Sequence, residues 1–396
     1  MDSKRRSRMI EHLPNDWRDA TLLGRLLTKE GPTPILVTGG RVKDISAIAP
    51  TVAQLLGGWN KAQLRGGRDL GPLGDLDLRR AWDAEPGAVR LLAPVDLQCI
   101  KAAGVTFAVS AVERVIEERA RGEASRADAI RAALRDQVGT DIRSVKPGSP
   151  QAKKLKEALI ADGLWSQYLE VAIGPDAEVF TKAPTLSAVG WGDWVGVRSD
   201  AVWTNPEPEI VLVCDRAGRT LGAALGNDVN LRCIEGRSAL LLGKAKDNNA
   251  SCSIGPLIRL FDETFSIDDV RNAVVRLEVV GEDNYRLEGQ SSMTQISRDP
   301  LELVAQTIGK HHQYPDGFAL FLGTMFAPTD DRNGAGTGFT HKMGDIVRVS
   351  SEKLGVLENK VTRCDEAPKW TFGVGDLMSN LAARGLLRAM DAKVST

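Results

Sequence analysis

Asn205-Pro206-Glu207-Pro208-Glu209-Ile210-Val211-Leu212-Val213-Cys214 reads as a β-strand with two acids at its head. Side chains alternate along a strand, so Glu207 and Glu209 share a face with Val211 and Val213, while Pro208, Ile210, Leu212 and Cys214 share the other. A strand apolar on both faces is usually covered on both. Two like charges in such a row are costly unless a cation holds them. Taken bare, the Glu-x-Glu also fits an exposed, alternating strand end. A third acid, Asp228, follows in Gly226-Asn227-Asp228, directly after the apolar run Leu221–Leu225. Three carboxylates from neighbouring strands, with no His/Cys cluster, are the donor set of a hard cation such as Mg²⁺ or Mn²⁺.

Composition narrows the setting. The 396 residues exceed one ordinary core, so two domains are expected, an accessory α/β unit at 1–100 and a catalytic unit at 101–396. Hydrophobic content of 42% and charged content of 26% are those of a soluble globular protein. With 51 basic and 52 acidic residues the net charge is −1, which gives no broad field for nucleic acid or anionic lipid. No apolar run approaches a membrane span, and Lys4-Arg5-Arg6-Ser7-Arg8 precedes no signal core, so a cytoplasmic protein is expected. Five scattered cysteines fit reduced thiols better than disulfides or zinc. His311 and His312 adjoin a turn at Tyr314-Pro315-Asp316-Gly317, so the chemistry must rest on carboxylates, Lys, Arg and hydroxyls.

In the first hundred residues, Leu22–Leu27 reads as helix, Pro34–Val37 as strand and Ile48–Leu56 as helix. From Ser110 to about 137, and again from Lys153 to Gly163, charged helices interrupt the strands and form either a lid, about 107–165, or a solvated hairpin. After Val171 the pattern becomes strands with Gly punctuation, including Ala273–Val280, Ala319–Leu322 and Ile346–Val349. A last helix, Asp376–Leu387, has Asp376 as its expected N-cap.

Over roughly residues 170–362 the chain resembles the fumarylacetoacetate hydrolase family. The motifs are Phe180-Thr181-Lys182-Ala183-Pro184-Thr185, Glu207-Pro208-Glu209, Gly226-Asn227-Asp228-Val229, the lysine segment from Lys244 to Pro256, Gly323-Thr324 and Met343-Gly344-Asp345-Ile346-Val347. The resemblance implies an α+β fold: a mixed β-roll catalytic domain with a helical lid and a smaller N-terminal α/β domain. It also implies a homodimer and a divalent metal, Mg²⁺ with Mn²⁺ as an alternative, held by Glu207, Glu209 and Asp228. The implied substrates are small 2-oxo acids or 1,3-dicarbonyls.

One departure bears on the reaction. Hydrolases of the family carry a His–Glu pair on the lid that activates water. Here the corresponding stretch is Thr106-Phe107-Ala108-Val109-Ser110-Ala111-Val112-Glu113, with Ser110 where the histidine would be. A serine without a basic neighbour cannot deprotonate water near neutral pH. Gly104-Val105-Thr106-Phe107 with Ser110, Arg114 and Glu117 instead resembles the sugar-acid branch, the 2-keto-3-deoxypentonate (2-keto-3-deoxy-D-arabinonate) dehydratases of non-phosphorylative pentose catabolism. That implies dehydration of a 2-keto-3-deoxy sugar acid to 2,5-dioxopentanoate.

On a helix, Ser110, Arg114 and Glu117 share one side and Val112, Val115 and Ile116 the other. That polar side either closes over the metal or is a solvated face with a weak ion pair. Lys246 either contacts substrate or serves as a structural ion pair. Glu113 or Glu117 is the expected base, with Ser110 beside them. Arg114, Lys182, Gln290, Ser291 and Thr324 are expected to hold the substrate's polar groups. Two other readings stay open: a hydrolase releasing pyruvate from a 2,4-diketo acid, with His311, His312 or Glu113 replacing the missing base, and a non-catalytic binding module.

Overall fold

The computed structural model describes residues 9–59, 66–121, 123, 125–127, 145–161, 163, 165–326, 328, 330–334 and 338–387, with the side chains at 108–110, 112 and 117 outside that set. The fold is α+β, as expected. Among the described residues an eleven-stranded mixed sheet runs in the order Arg68–Pro72, Arg41–Asp44, Gly31–Thr38, Leu22–Thr28, Cys252–Leu260, Thr220–Asp228, Pro208–Cys214, Phe318–Phe321, Cys99–Gly104, Glu178–Ala183. The short strand Arg90–Leu92 pairs with Leu22–Thr28 off that path. A five-stranded sheet runs Arg286–Ser292, Val274–Val280, Ile346–Ser351, Gly355–Arg363, Trp194–Val197. All pairings are antiparallel except Phe318–Phe321 with Cys99–Gly104 and Gly355–Arg363 with Trp194–Val197.

The acidic strand is covered on both faces, as its composition requires. Ile210, Leu212 and Cys214 join the core between the sheets, with Leu277, Val347 and Leu357. Val211 and Val213 face a second core closed by Val52 and Leu55 of the helix Val52–Gly57. Burying such faces contributes about 25 cal/mol per Å². That is the stabilisation against which the charged row at the strand's head must be set.

Three sequence expectations are corrected. Leu22–Leu27 is strand, not helix. Both its faces are buried, and a short apolar run on two covered faces has no period that separates strand from helix. The helix expected at Ile48–Leu56 runs Val52–Gly57, with Thr51 as N-cap accepting from Gln54 N, and Pro50 lies outside it. The last helix is Val374–Ala383. Asp376 is its third residue, and the carboxylate reaches back to accept from the Gly373 N–H at 2.9 Å.

The strands of the first hundred residues extend the sheet that carries the acids, through Leu22↔Arg259 and Leu23↔Ile258. Sheet continuity makes a boundary near residue 100 a proposal about sequence segments, without a break in the hydrogen-bonded structure there. The helical insertion includes Ala108–Ala120, Pro150–Ala161 and Gln167–Ile173, which share their own apolar cluster of Ala111, Val115, Ile116, Leu169 and Ile173. No helix among the described residues is long and apolar enough to cross a membrane.

Candidate active site

Glu207, at the entry to its strand, and Glu209 lie beside Thr220–Asp228, where Glu209 faces Gly226 and Pro208 faces Asn227. A Cβ on Gly226 would stand 2.3 Å from Phe321 and 2.6 Å from Val211, so only glycine lets the strands close at that level. The Asp228 N–H donates to the Glu207 carbonyl at 3.0 Å, which brings the third acid level with the first two. Glu207, Glu209 and Asp228 are 5%, 3% and 2% exposed, and one oxygen from each lies within 4.8 Å of the others. The bland reading of an exposed strand end fails on those exposures.

The cations that offset this charge come from several elements. Lys246, ending the helix Leu242–Lys246, ion-pairs with Glu207 Oε2 and, at 3.1 Å, with Asp228 Oδ2. Lys182 Nζ lies 2.7 Å from Asp228 Oδ1. Arg114, from the first insertion helix, places Nη2 2.8 Å from Glu207 Oε1 and Nη1 on Glu235. Asn230 Nδ2 donates to the same Glu207 oxygen at 3.0 Å. Glu209 accepts from the Gly323 N–H at 2.6 Å. Gly323 has φ +86°, and a Cβ there would meet Thr106 Oγ1 at 2.1 Å.

These surroundings separate the carboxyls. Burial alone would raise Glu207, but Lys246 and Arg114 outweigh it and hold the group down at about 2. Burial and the charges of Asp228 and Glu207 push Glu209 well above the ordinary range. Burial also works against the Lys246 ammonium, yet Asp228 and Glu207 more than compensate and raise it. Glu178 opens the strand Glu178–Ala183 on the same cleft, and burial followed by the charge of Glu235 lifts it to about 7.

The cleft encloses about 540 Å³ not filled by protein atoms, its open mouth included. Of the residues expected from sequence, it brings together the triad, Lys246, Glu113, Arg114 and Thr324. The side chains of Ser110 and Glu117 lie outside the described residues. Three substrate contacts are corrected. Lys182 is fully buried, with Asp228, the Val229 carbonyl and the Lys246 carbonyl as its partners, so it anchors Asp228 instead of lining the cleft. Gln290 is exposed on the five-stranded sheet opposite Arg276, because alternation turns it away from its neighbour Ser291. Ser291 is buried and accepts from the Met325 N–H at 3.0 Å, so it supports the Gly323–Phe326 loop from behind.

Sequence reasoning missed Glu178, Arg232 and Glu235, all on the cleft. Glu178 carried a usable signal: strand alternation puts it on the face of Phe180 and Lys182. Arg232 and Glu235 sit on the one-turn helix Arg232–Glu235, too short for a period. The donor set suits a divalent cation, since it offers three buried carboxylates and the cleft lining contains no thiol or imidazole among the described residues.

Residues 167–362 match the family described as fumarylacetoacetate (FAA) hydrolase C-terminal. A 2-dehydro-3-deoxy-D-arabinonate dehydratase of Saccharolobus solfataricus is 32% identical over 189 residues, covering 47% of this chain and 59% of that protein. A protein of Haloferax volcanii named "Probable 2-keto-3-deoxyxylonate dehydratase" is 31% identical over 195 residues, 49% of this chain and 63% of its own length. The chain thus spans less than two thirds of either relative. Among solved structures, a 2-keto-3-deoxy-D-arabinonate dehydratase in its apo form superimposes with TM-score 0.61 at 20% identity, over 86% of this chain and 99% of that one. A 2-keto-3-deoxy-D-arabinonate dehydratase complexed with magnesium and 2,5-dioxopentanoate gives 0.59 at 21% identity, with the same coverages. At such identities these two likenesses establish a shared fold.

Proposed function

We propose a metal-dependent hydro-lyase acting on a 2-keto-3-deoxy sugar acid, on the match of residues 167–362 to the fumarylacetoacetate hydrolase family. A five-carbon substrate gives 2,5-dioxopentanoate. The observation that carries the reading is one cleft holding both the buried triad and Glu178, a carboxyl that burial pushes up to about 7. The two dehydratase relatives support it. A homodimer, on family resemblance, and a cytoplasmic setting, on five scattered cysteines that fit reduced thiols, belong to the same proposal.

Glu207, Glu209 and Asp228 would hold the cation, Mg²⁺ or alternatively Mn²⁺, which when bound would supply Lewis-acid polarisation of the C1 carboxylate and C2 ketone. Every other part is played by the chain's own groups. Lys246 balances the charge of the carboxylates and meets the substrate's oxygens. Glu178 takes a proton from C3, and the C–H electron pair becomes the C2=C3 bond of an enolate. The ketone then re-forms as C3=C4 appears and the C4–O bond breaks, the hydroxyl leaving as water with a proton returned by the same carboxyl. A proton moves from C5 to C3, and the resulting enol becomes the C5 aldehyde. One water is lost overall. Glu113 and Thr324 line the same cleft.

Hydrolysis of a 2,4-diketo acid needs a base to activate water. None of the four histidines lines the cleft, so of the bases considered for that route only Glu113 remains there: His12 accepts from Trp191 Nε1, His341 sits 3.3 Å from Asp345, and His311 and His312 are exposed. The test is incubation of the purified chain and Mg²⁺ with each substrate class, followed by NMR. Formation of 2,5-dioxopentanoate from a 2-keto-3-deoxypentonate is expected. Pyruvate from a diketo acid, with the deoxy acid untouched, would overturn the reading.

A further inference from the structure

The helical insertion leaves the sheet after Gly104 and returns at Glu178, so two short stems carry it. Thr106 and Phe107 form the entry stem. The Ser297 N–H donates to the Thr106 carbonyl at 2.8 Å, and Phe107, 1% exposed, makes an antiparallel bridge with Ile296. At the exit stem, Arg298 Nη2 donates to the carbonyls of Val171 at 2.9 Å, Gly174 at 2.7 Å and Asp176 at 3.2 Å. Gln306 Nε2 adds a bond to the Pro175 carbonyl at 3.1 Å. One tripeptide, Ile296-Ser297-Arg298, therefore fastens both stems.

Arg298 suits this task chemically. It is 1% exposed, and Nη1 is held by Glu302 at 2.9 Å. The Val171 carbonyl, in the last turn of the helix Gln167–Ile173, and those of Gly174 and Asp176 just beyond it carry partial negative charge, which Nη2 gathers while Nη1 stays on Glu302. A lysine ammonium keeps the charge but, with one nitrogen, cannot bridge from these carbonyls to Glu302 as Nη2 and Nη1 do together. Asp176 lies two residues before Glu178, and Leu169 and Ile173 pack on Ala111, Val115 and Ile116 of the helix bearing Glu113 and Arg114.

We propose that Arg298 is a positioning residue: by holding the exit stem, and through the packing of Leu169 and Ile173 on the first insertion helix, it sets where Glu178, Glu113 and Arg114 stand relative to the acidic triad. The inference rests on the functional reading above for its catalytic consequence, but its structural consequence does not need a substrate.

The experiment compares the wild-type chain with Arg298→Lys by hydrogen–deuterium exchange, followed by steady-state kinetics across pH. Exchange is expected to quicken at 105–120 and 167–178 while 208–228 is unchanged. Turnover should fall at least about 10-fold with KM within about threefold, the signature of misplaced groups. The limb of the pH profile near neutrality should move. Unchanged exchange at both stems, or a uniform increase across both sheets, would overturn the proposal. If Arg298→Lys does not fold, Gln306→Ala, at an exposed position, gives the same readout: quickening confined to 171–178 supports the clasp, and none or a global rise refutes it. Failure of the wild type to dehydrate any 2-keto-3-deoxy acid would sink the functional reading but leave the exchange result to decide the clasp.

Discussion

Glu209→Gln is expected to lower turnover by roughly 10³-fold or more while leaving the metal-free fold at least as stable as before. The amide has the size of the carboxyl, and its oxygen can still accept from the Gly323 N–H that now donates to Glu209. Burial and the charges of Asp228 and Glu207 already hold this carboxyl far above its ordinary range, so a neutral group costs little there. What is lost is the third anionic ligand, and with it most of the cation's affinity. Glu207→Gln should behave differently. It leaves Lys246 and Arg114 short of a buried partner, at a cost of about 3–5 kcal/mol in stability. Calorimetric Mg²⁺ titration and thermal unfolding of both variants check the pair. Wild-type metal affinity in Glu209→Gln would defeat the assignment of this ligand.

Glu178→Gln should cut turnover by roughly 10²–10⁴-fold and spare metal affinity, because Glu178 belongs to a different strand from the triad. Wild-type turnover should rise with pH through about 7 as the carboxyl becomes a base, and that limb should vanish in the variant. The same shift has a stability consequence. The folded value, about 7, lies above the ordinary 4.5, so the stability contributed by the protonated form is complete below pH 4.5. It is lost as pH rises through 7. Glu178→Gln should therefore flatten stability between pH 5 and 8, by roughly 2 kcal/mol after allowance for partial solvent access. Unfolding curves at both pH values measure it. A variant that keeps its neutral limb would exclude Glu178 as the base.

The acidic row was legible because two independent rules met on it. Alternation placed Glu207 and Glu209 on the Val211/Val213 face, and an apolar opposite face required cover on both sides, which the two cores supply. Asp228 followed from a second apolar strand ending at the same level. Leu22–Leu27 was misread because burial on both faces erases the period on which sequence reading depends. Lys182 was assigned to substrate because its segment bears on the site, yet only three dimensions reveal that it stands on Asp228 and not in the cleft. Gln290 and Ser291 are adjacent, and a choice between their faces needed the sheet's orientation. The exit-stem carbonyls gathered by Arg298 lie 122 to 127 residues away in sequence, beyond any local pattern.

The measurement that bears most directly on the whole account is anomalous diffraction from a crystal soaked with Mn²⁺ and pyruvate. One strong peak is predicted at roughly 2 Å from an oxygen of each of Glu207, Glu209 and Asp228, with the 2-oxo acid's carboxylate and ketone oxygens completing its shell and Glu178 facing C3. A soaked crystal with no peak at the triad, and Lys246 still spanning Glu207 and Asp228, would contradict it.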